Sequence, residues 1–352
     1  MGAKITGIGS YIPTKVAPNE SFENNDFYNG DGSSFGQENA VIIKKFKAIT
    51  GIAERRYTKD SLTTSDIAYE AAEKAIKDAG IDKEELDYLI VAHNYGDVKH
   101  GTAQSDTVPS VASRVKHHLR IKNPHCVAYD VLFGCPGWIE GVIQANAFIK
   151  AGMAKKCLVI GAETLSRVID QHDRDSMIYS DGAGATVIET SNGDDGILTH
   201  HSATYTYDEA HFIYFGESNN QQLTDDRCYI KMHGRKIYEF ALNNVPSAIK
   251  TCLDDSGVSI NEVKKIFIHQ ANEKMDEAII HRFYKLYDQI PPDDVMPMTI
   301  DKLGNSSVAT VPTLYDLVLR GELKNQKVSP GDVVIFASVG AGMNINAIVY
   351  RV

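Results

Sequence analysis

Residues 75–93 read AIKDAGIDKEELDYLIVAH, and residues 252–270 read CLDDSGVSINEVKKIFIHQ. The two stretches align without a gap at an offset of 177, about half of the 352-residue chain. Asp78 meets Asp255, Gly80 meets Gly257 and Glu85 meets Glu262. Apolar positions pair as well: Ile76 with Leu253, Ile81 with Val258, Leu86 with Val263, Leu89 with Ile266 and Val91 with Ile268. Each copy reads as a helix closed by glycine, a short acidic turn, then a buried strand. Later elements keep the same order. The helical stretch 138–151, ending Ala151-Gly152, corresponds to 307–320, ending Arg320-Gly321. The strand Cys157–Gly161 corresponds to Val333–Ala337, and Ala185–Glu189 to Asn346–Tyr350. Strands alternating with helices imply mostly parallel sheets covered by helices. The chain is therefore expected to be α/β, with two pseudo-symmetric halves, 1–192 and 193–352, joined near 192–196. A site built between the halves follows from that duplication.

Composition narrows the class. Hydrophobic residues make up 43% and charged residues 23%, which suits a globular chain with a large core. Apolar runs such as Leu89–Ala92, Leu158–Ala162 and Val333–Ala337 fall far short of the ~20 residues that span a bilayer. Residues 1–9 lack the charged-then-apolar pattern of a signal peptide and read as a strand. The cysteines at 126, 135, 157, 228 and 252 are odd in number and form no CxxC, against a disulfide framework or a zinc site. A reducing cytoplasm is the expected compartment, with no membrane association. The net charge of −10 opposes general nucleic-acid binding.

One cysteine stands apart. The apolar strand Cys126–Leu132 turns through Phe133-Gly134-Cys135-Pro136-Gly137 into the helix 138–151. Proline favours the first helical position, so Cys135 is expected at about the N-cap. Unpaired N–H groups and the macrodipole there favour a thiolate and a lowered pKa. The plain structural alternative is a small buried hydrophobe. Under the duplication, Gly304-Asn305-Ser306 begins the helix equivalent to the one that Cys135 begins. His269 ends the strand Ile266-Phe267-Ile268, at the carboxyl edge where open α/β sheets place ligands. Singly, His269 reads as structural and Asn305 as an N-cap; together with Cys135 they form a set that the pseudo-symmetry brings together.

Two stretches break the pattern. Residues 24–39 (NNDFYNGDGSSFGQEN) read as an exposed loop. Residues 200–230 carry Tyr205, Tyr207, Phe212, Tyr214, Phe215 and Tyr229 without helical spacing. They fit either a hairpin packed on the core or the wall of an acyl or pantetheine tunnel.

The motifs, taken in order, resemble the β-ketoacyl-acyl-carrier-protein synthase III family of thiolase-like condensing enzymes. They are Ile5-Thr6-Gly7-Ile8-Gly9-Ser10-Tyr11-Ile12-Pro13, Thr50-Gly51-Ile52, the Cys135 turn and Gly161-Ala162-Glu163-Thr164. Beyond these lie Asp181-Gly182-Ala183-Gly184-Ala185, His269-Gln270-Ala271-Asn272, Gly304-Asn305-Ser306-Ser307 and Gly340-Ala341-Gly342. The resemblance implies a thiolase-like fold of five layers, αβαβα. It implies acylation of Cys135 from an acyl thioester, then decarboxylative Claisen condensation with malonyl-acyl-carrier protein. His269 and Asn305 would hold the enolate oxygen. The backbone of Cys135 and the Gly340-Ala341-Gly342 turn, chiefly Ala341, would form the other oxyanion hole. No cofactor is implied beyond acyl-coenzyme A or acyl-carrier protein as substrates. Acyl carrier protein and a second copy of the chain are the implied partners.

Departures from the family pattern bear on the donor and the acyl chain. Where coenzyme A-primed members carry a tryptophan and an arginine, this chain has Lys44-Lys45-Phe46-Lys47-Ala48-Ile49, and its single tryptophan is Trp138. Arg174 does match a family arginine near the coenzyme A site. Val108, in the long segment His100–Ser110, stands where some relatives place a phenylalanine that limits the acyl pocket across the dimer, so chains longer than acetyl are expected. Lys231, Arg235, Lys236 and Lys274 are the candidates for docking an acidic carrier protein, against the plain reading of a solvated face. A thiolase is disfavoured because no cysteine follows Cys252. A specialised condensing enzyme of secondary metabolism, making an alkylresorcinol- or polyene-type product, stays open. So does a non-catalytic carrier-binding subunit, from which rapid alkylation of Cys135 by iodoacetamide would distinguish an enzyme.

Overall fold

The computed structural model describes residues 2–102, 104–224 and 226–352; Ala103, within the acyl-pocket segment, and Met1, in the expected first strand, lie outside them. A first sheet of five strands runs in the order Gly2–Tyr11, Asp181–Ser191, Lys156–Thr164, Tyr88–Ala92, Val127–Val131. A second sheet of four runs Gly196–Thr204, Asn344–Arg351, Val333–Gly340, Val263–Ile268. The orders match strand for strand, and only the outermost strand of the first sheet lacks a counterpart. There the second sheet has an irregular segment, which accepts one ladder bond, from Ile266 N–H to Val295 O at 2.8 Å.

Both sheets are mixed, contrary to the mostly parallel sheets expected. Tyr88–Ala92 runs parallel to both neighbours, and Val263–Ile268 runs parallel to Val333–Gly340. The remaining pairings are antiparallel. The connections explain this. A parallel return needs a crossover of a dozen or more residues, usually through a helix. Residues 341–343 are a three-residue turn, and 165–180 hold only short 3₁₀ turns, so each following strand folds straight back.

Alternation along the strands builds the layers, because successive side chains face opposite ways. Ile90, Val159 and Ile188 of the first sheet, with Phe267, Phe336 and Ile348 of the second, enclose the helices Gly137–Lys150 and Thr310–Leu319 between the sheets. Leu89, Val91, Leu158 and Ile160 face outward onto Thr64–Ala79 and Val111–His118. Ile266, Ile268, Ile335 and Val349 face outward onto Gly234–Ser256 and Glu273–Lys285. The result is the five-layer αβαβα arrangement. Trp138 sits at its centre, 1% exposed and edge-on to Phe336, so it is core rather than a ligand platform. Burying a side chain of that kind contributes roughly 1.5–3 kcal/mol.

The outer helices Thr64–Ala79 and Gly234–Ser256 both end at left-handed glycines, Gly80 (φ 66°) and Gly257 (φ 70°), the residues aligned in the repeat. Only glycine takes that backbone without a Cβ penalty. The segment 24–39 is largely exposed, as expected, but it is anchored: Phe27 is buried and Phe35 packs against the cluster around Ile42 and Phe46.

Candidate active site

The two inner helices begin at one end of the sheets and face each other. Their starting turns carry Cys135 on one side and Asn305 to Ser307 on the other. A cavity of about 270 Å³ between them is lined by Cys135, His269, Asn305, Ser307, Gly340 and Ala341. Thus the three side chains singled out from sequence share one wall system, and so does most of the glycine turn. Gly342 is not part of that lining; with φ 76° it makes the bend that lets the Asn344 amide donate to Ala341 O at 2.8 Å.

The helix on the cysteine side starts one residue later than expected. Pro136 is its N-cap, Gly137 its first residue, and Cys135 precedes both. The Gly137 N–H is already bonded to Gly134 O at 3.0 Å. Gly134 is left-handed (φ 65°), and a Cβ there would lie 2.6 Å from Ala341 N. A Cβ on Gly340 would collide with Cys135 N. These two glycines therefore let the Cys135 and Ala341 backbones approach side by side.

Sequence alone suggested a thiol held below its usual pKa. Instead burial pushes the Cys135 thiol up to about 11; the Ser307 hydroxyl, donating to Sγ at 3.3 Å, acts the other way, and nearby Glu163 adds to the rise. The reason is water exclusion: the thiol stands before the first helical turn, in a cavity wall where a charge loses its hydration. His269 is buried, and its pKa is pushed down to about 4 by loss of hydration, opposed by the Ser307 backbone. It is therefore neutral at pH 7, and among the described residues its Nδ1 has no hydrogen-bond partner. Asn305 Oδ1 accepts the Ser307 N–H at 2.8 Å, and its backbone is tied to Ile178 and Ser180. That bond orients the amide, whose NH₂ is its donor end.

Three further groups were not singled out from sequence as site residues. Asn94, Ser307 and buried Glu163 connect to Cys135 through hydrogen bonds. Asn94 lies just past the carboxyl end of Tyr88–Ala92, so the sheet-edge rule that selected His269 pointed at it too. Part of the aromatic stretch folds as a hairpin that lines the cavity. Ile213–Gly216 and Tyr229–Met232 form a hairpin, and Tyr214, Phe215 and Ile230 line the cavity.

A second cavity of about 450 Å³ adjoins the first, with Ile178, Met232, Ile237, Ala271 and Met275 lining both. Lys45, Arg174 and Arg235 stand around it. The Arg174 guanidinium lies 4.7 Å from the centre of the Phe35 ring, so the loop 24–39 supplies an aromatic partner for it, while residues 44–49 have no tryptophan. Among the described residues, no group of three or more His, Cys, Asp or Glu is arranged to hold a metal ion.

Comparison with known proteins decides the family. The profile described as 3-Oxoacyl-[acyl-carrier-protein (ACP)] synthase III matches residues 129–206, and that of its C-terminal part matches 253–352. A β-ketoacyl-[acyl-carrier-protein] synthase III of Erythrobacter litoralis is 32% identical over 99% of this chain and 99% of its own. The chain belongs to the β-ketoacyl-acyl-carrier-protein synthase III family. The synthase III 1 of Bacillus cereus is 30% identical over 100% of this chain and 99% of its own. The crystal structure of the Aquifex aeolicus enzyme superposes with a TM-score of 0.81 at 29% identity, covering 100% of both chains. Membership makes the chain a condensing acyltransferase of fatty acid biosynthesis with the thiolase-like fold.

The candidate docking residues of the chain separate. Arg235, Lys236 and Lys274 are exposed. Arg235 pairs with Glu239 at 2.9 Å, and Lys236 lies 5.3 Å from the Phe212 ring centre. Lys231 is not a surface cation: only 4% of its side chain is exposed, and it is held by Asp170 at 2.5 Å and Asp173 at 3.1 Å. Strand alternation buried it, a consequence of register. Val108 is 84% exposed, precedes a cis proline, and lines neither cavity of the single chain. No helix of the described residues is long and apolar enough to cross a membrane.

Proposed function

We infer that Cys135 is the acyl-accepting nucleophile, with His269 and Asn305 as donors to the enolate of a malonyl thioester. The observation that carries this is the shared cavity of those side chains and the Gly340-Ala341 turn. In the first half-reaction the Cys135 sulfur bonds to the acyl carbon and the donor thiol leaves with the cysteine proton. Between these events the thioester oxygen is negative and accepts from the Cys135 and Ala341 N–H groups. In the second, a malonyl thioester loses CO₂, and the electron pair of the broken C–C bond becomes an enolate. Its oxygen accepts from neutral His269 and the Asn305 amide, and its carbon attacks the acyl-cysteine, expelling the thiolate. A neutral imidazole suits that role, since an imidazolium would surrender its proton to the enolate.

The carrier would dock where Arg235, Lys236 and Lys274 stand exposed near the mouth of the outer cavity. Phe35 against Arg174 supports a platform for a flat group of the donor there. The apolar inner wall of Leu165, Ile213 and Phe215 supports acyl chains longer than acetyl. A homodimer is supported by the unpaired outer edge of Val127–Val131, flanked by exposed Val108 and Leu132. Intact-protein mass spectrometry with acetyl and octanoyl groups, on coenzyme A and on carrier protein, tests the reading. One adduct, absent from Cys135→Ala and formed faster from octanoyl, is expected; no adduct from any donor rejects it.

A further inference from the structure

Outside the three residues discussed, one buried polar chain ends on the sulfur. Glu163 Oε1 accepts both the Asn94 backbone N–H and the Asn94 Nδ2–H, the latter at 2.8 Å. The same Nδ2 donates to Ser307 Oγ at 3.2 Å, and Ser307 Oγ donates to Cys135 Sγ at 3.3 Å. An amide nitrogen has two hydrogens and no lone pair to offer. Once Glu163 fixes which end of the Asn94 amide faces inward, Ser307 Oγ must accept from it, leaving its own proton for the sulfur. The backbone supports the arrangement: Ser307 sits at φ 54°, a left-handed conformation uncommon for serine, held by the Asn305 side chain. Such strain persists where surroundings over-determine it, and it gathers at working sites.

The geometry points to Glu163 and Asn94 as positioning residues that fix the Ser307 hydroxyl as a donor to the Cys135 sulfur. Ser307 then holds the sulfur's negative charge whenever it appears, on loss of the thiol proton and on cleavage of the acyl-cysteine. This rests on Cys135 being the nucleophile. The carboxyl's own charge works against the thiolate, so what Glu163 contributes is an acceptor oxygen rather than a charge. Its pKa is pushed up to about 7 by burial, against the nearby His93 and with Asp181 adding to the rise. Tyr95 and Tyr179 also sense Cys135, and His269 lines the same cavity.

The test is iodoacetamide alkylation against pH, followed at Cys135 by peptide mass, in the wild type and four variants. Ser307→Ala should move the midpoint up by about one pH unit, a tenfold slower reaction below it, as loss of a hydrogen bond to a charged atom requires. Ser307→Thr, which keeps the hydroxyl, should restore it. Glu163→Gln keeps an acceptor oxygen without the charge, so its midpoint should be no higher than wild type. Glu163→Leu removes the acceptor and should shift like Ser307→Ala. An unmoved midpoint in Ser307→Ala, or an equal upward shift in both Glu163 variants, overturns the proposal. Formation of the acyl adduct is scored separately. An adduct without a shift rejects the hydrogen-bond chain alone, whereas a shift without any adduct rejects the nucleophile reading alone.

Discussion

The two inner helices occupy equivalent positions in the two halves, yet their first turns are built differently. On the cysteine side, Pro136 caps a regular helix that starts at Gly137. On the other side Ser307–Ala309 form a 3₁₀ turn before the helix at Thr310, and Ser307 is left-handed. The first turn presents a thiol and a backbone N–H. The second presents an amide and a hydroxyl, with the Asn305 oxygen spent on the Ser307 N–H. On the proposed reading, one scaffold position, duplicated, supplies the nucleophile from one copy and hydrogen-bond donors from the other. The lesson is that duplication delivers the geometry, while divergence of a few residues divides the chemistry.

The largest effect should come from disabling one turn alone. Asn305→Ala should slow condensation by about 10²–10³-fold, the usual loss for one donor to a developing oxyanion, while acylation of Cys135 persists. Single-turnover acylation and carbon dioxide release, measured side by side, would separate the two; equal loss of both would break the division of labour. Gly340→Ala addresses the cysteine side. Its Cβ collides with Cys135 N, so acylation should fall by about 10²-fold, as an ångström-scale misplacement does, with the circular dichroism spectrum retained.

A smaller contrast concerns the lysines grouped together from sequence. Lys231→Ala would leave Asp170 and Asp173 without their cation and should cost roughly 3–5 kcal/mol of stability in denaturant unfolding. Arg235→Ala, whose partner is exposed, should change stability by no more than about 0.5 kcal/mol. Smallest of all, Arg235→Glu with Lys274→Glu should raise KM for carrier-linked malonate several-fold at low salt, the raise shrinking as salt screens the charges. Self-acylation by small thioesters should be unchanged, and an unaltered KM would remove this face from the docking site.

Much of this was legible before folding was considered. The aligned glycines at 80 and 257 mark true left-handed helix ends, and of the paired apolar positions Ile76 and Leu253 lie in matching helices and Leu89, Val91, Ile266 and Ile268 in matching strands, because a repeated unit buries the same faces twice. The helix start after Cys135 was readable for the same reason, to within a residue, whereas Asn305 is not the expected N-cap: a 3₁₀ turn, Ser307–Ala309, delays the α-helix to Thr310. Other features resisted. Phe35 hid in a polar, glycine-rich loop whose composition says exposed, and only packing against Arg174 gives it a task. Lys231 carries the same charge as Lys236, and only strand register separates a core cation from a surface one. Strand direction was misjudged because it depends on what the connecting segments can span.

By itself the sequence determined the duplicated α/β plan, the order of its elements and the residue types that meet between the halves. These depend on local periodicity, turn chemistry and motif order, all written along the chain. The tertiary structure decided the protonation states and the hydrogen-bond directions. Cys135 is held as a thiol rather than a thiolate, His269 is neutral, and Ser307 is turned onto the sulfur. Each depends on how much water is excluded and which donors converge from residues far apart in sequence, quantities that exist only once the halves have closed around the cavity.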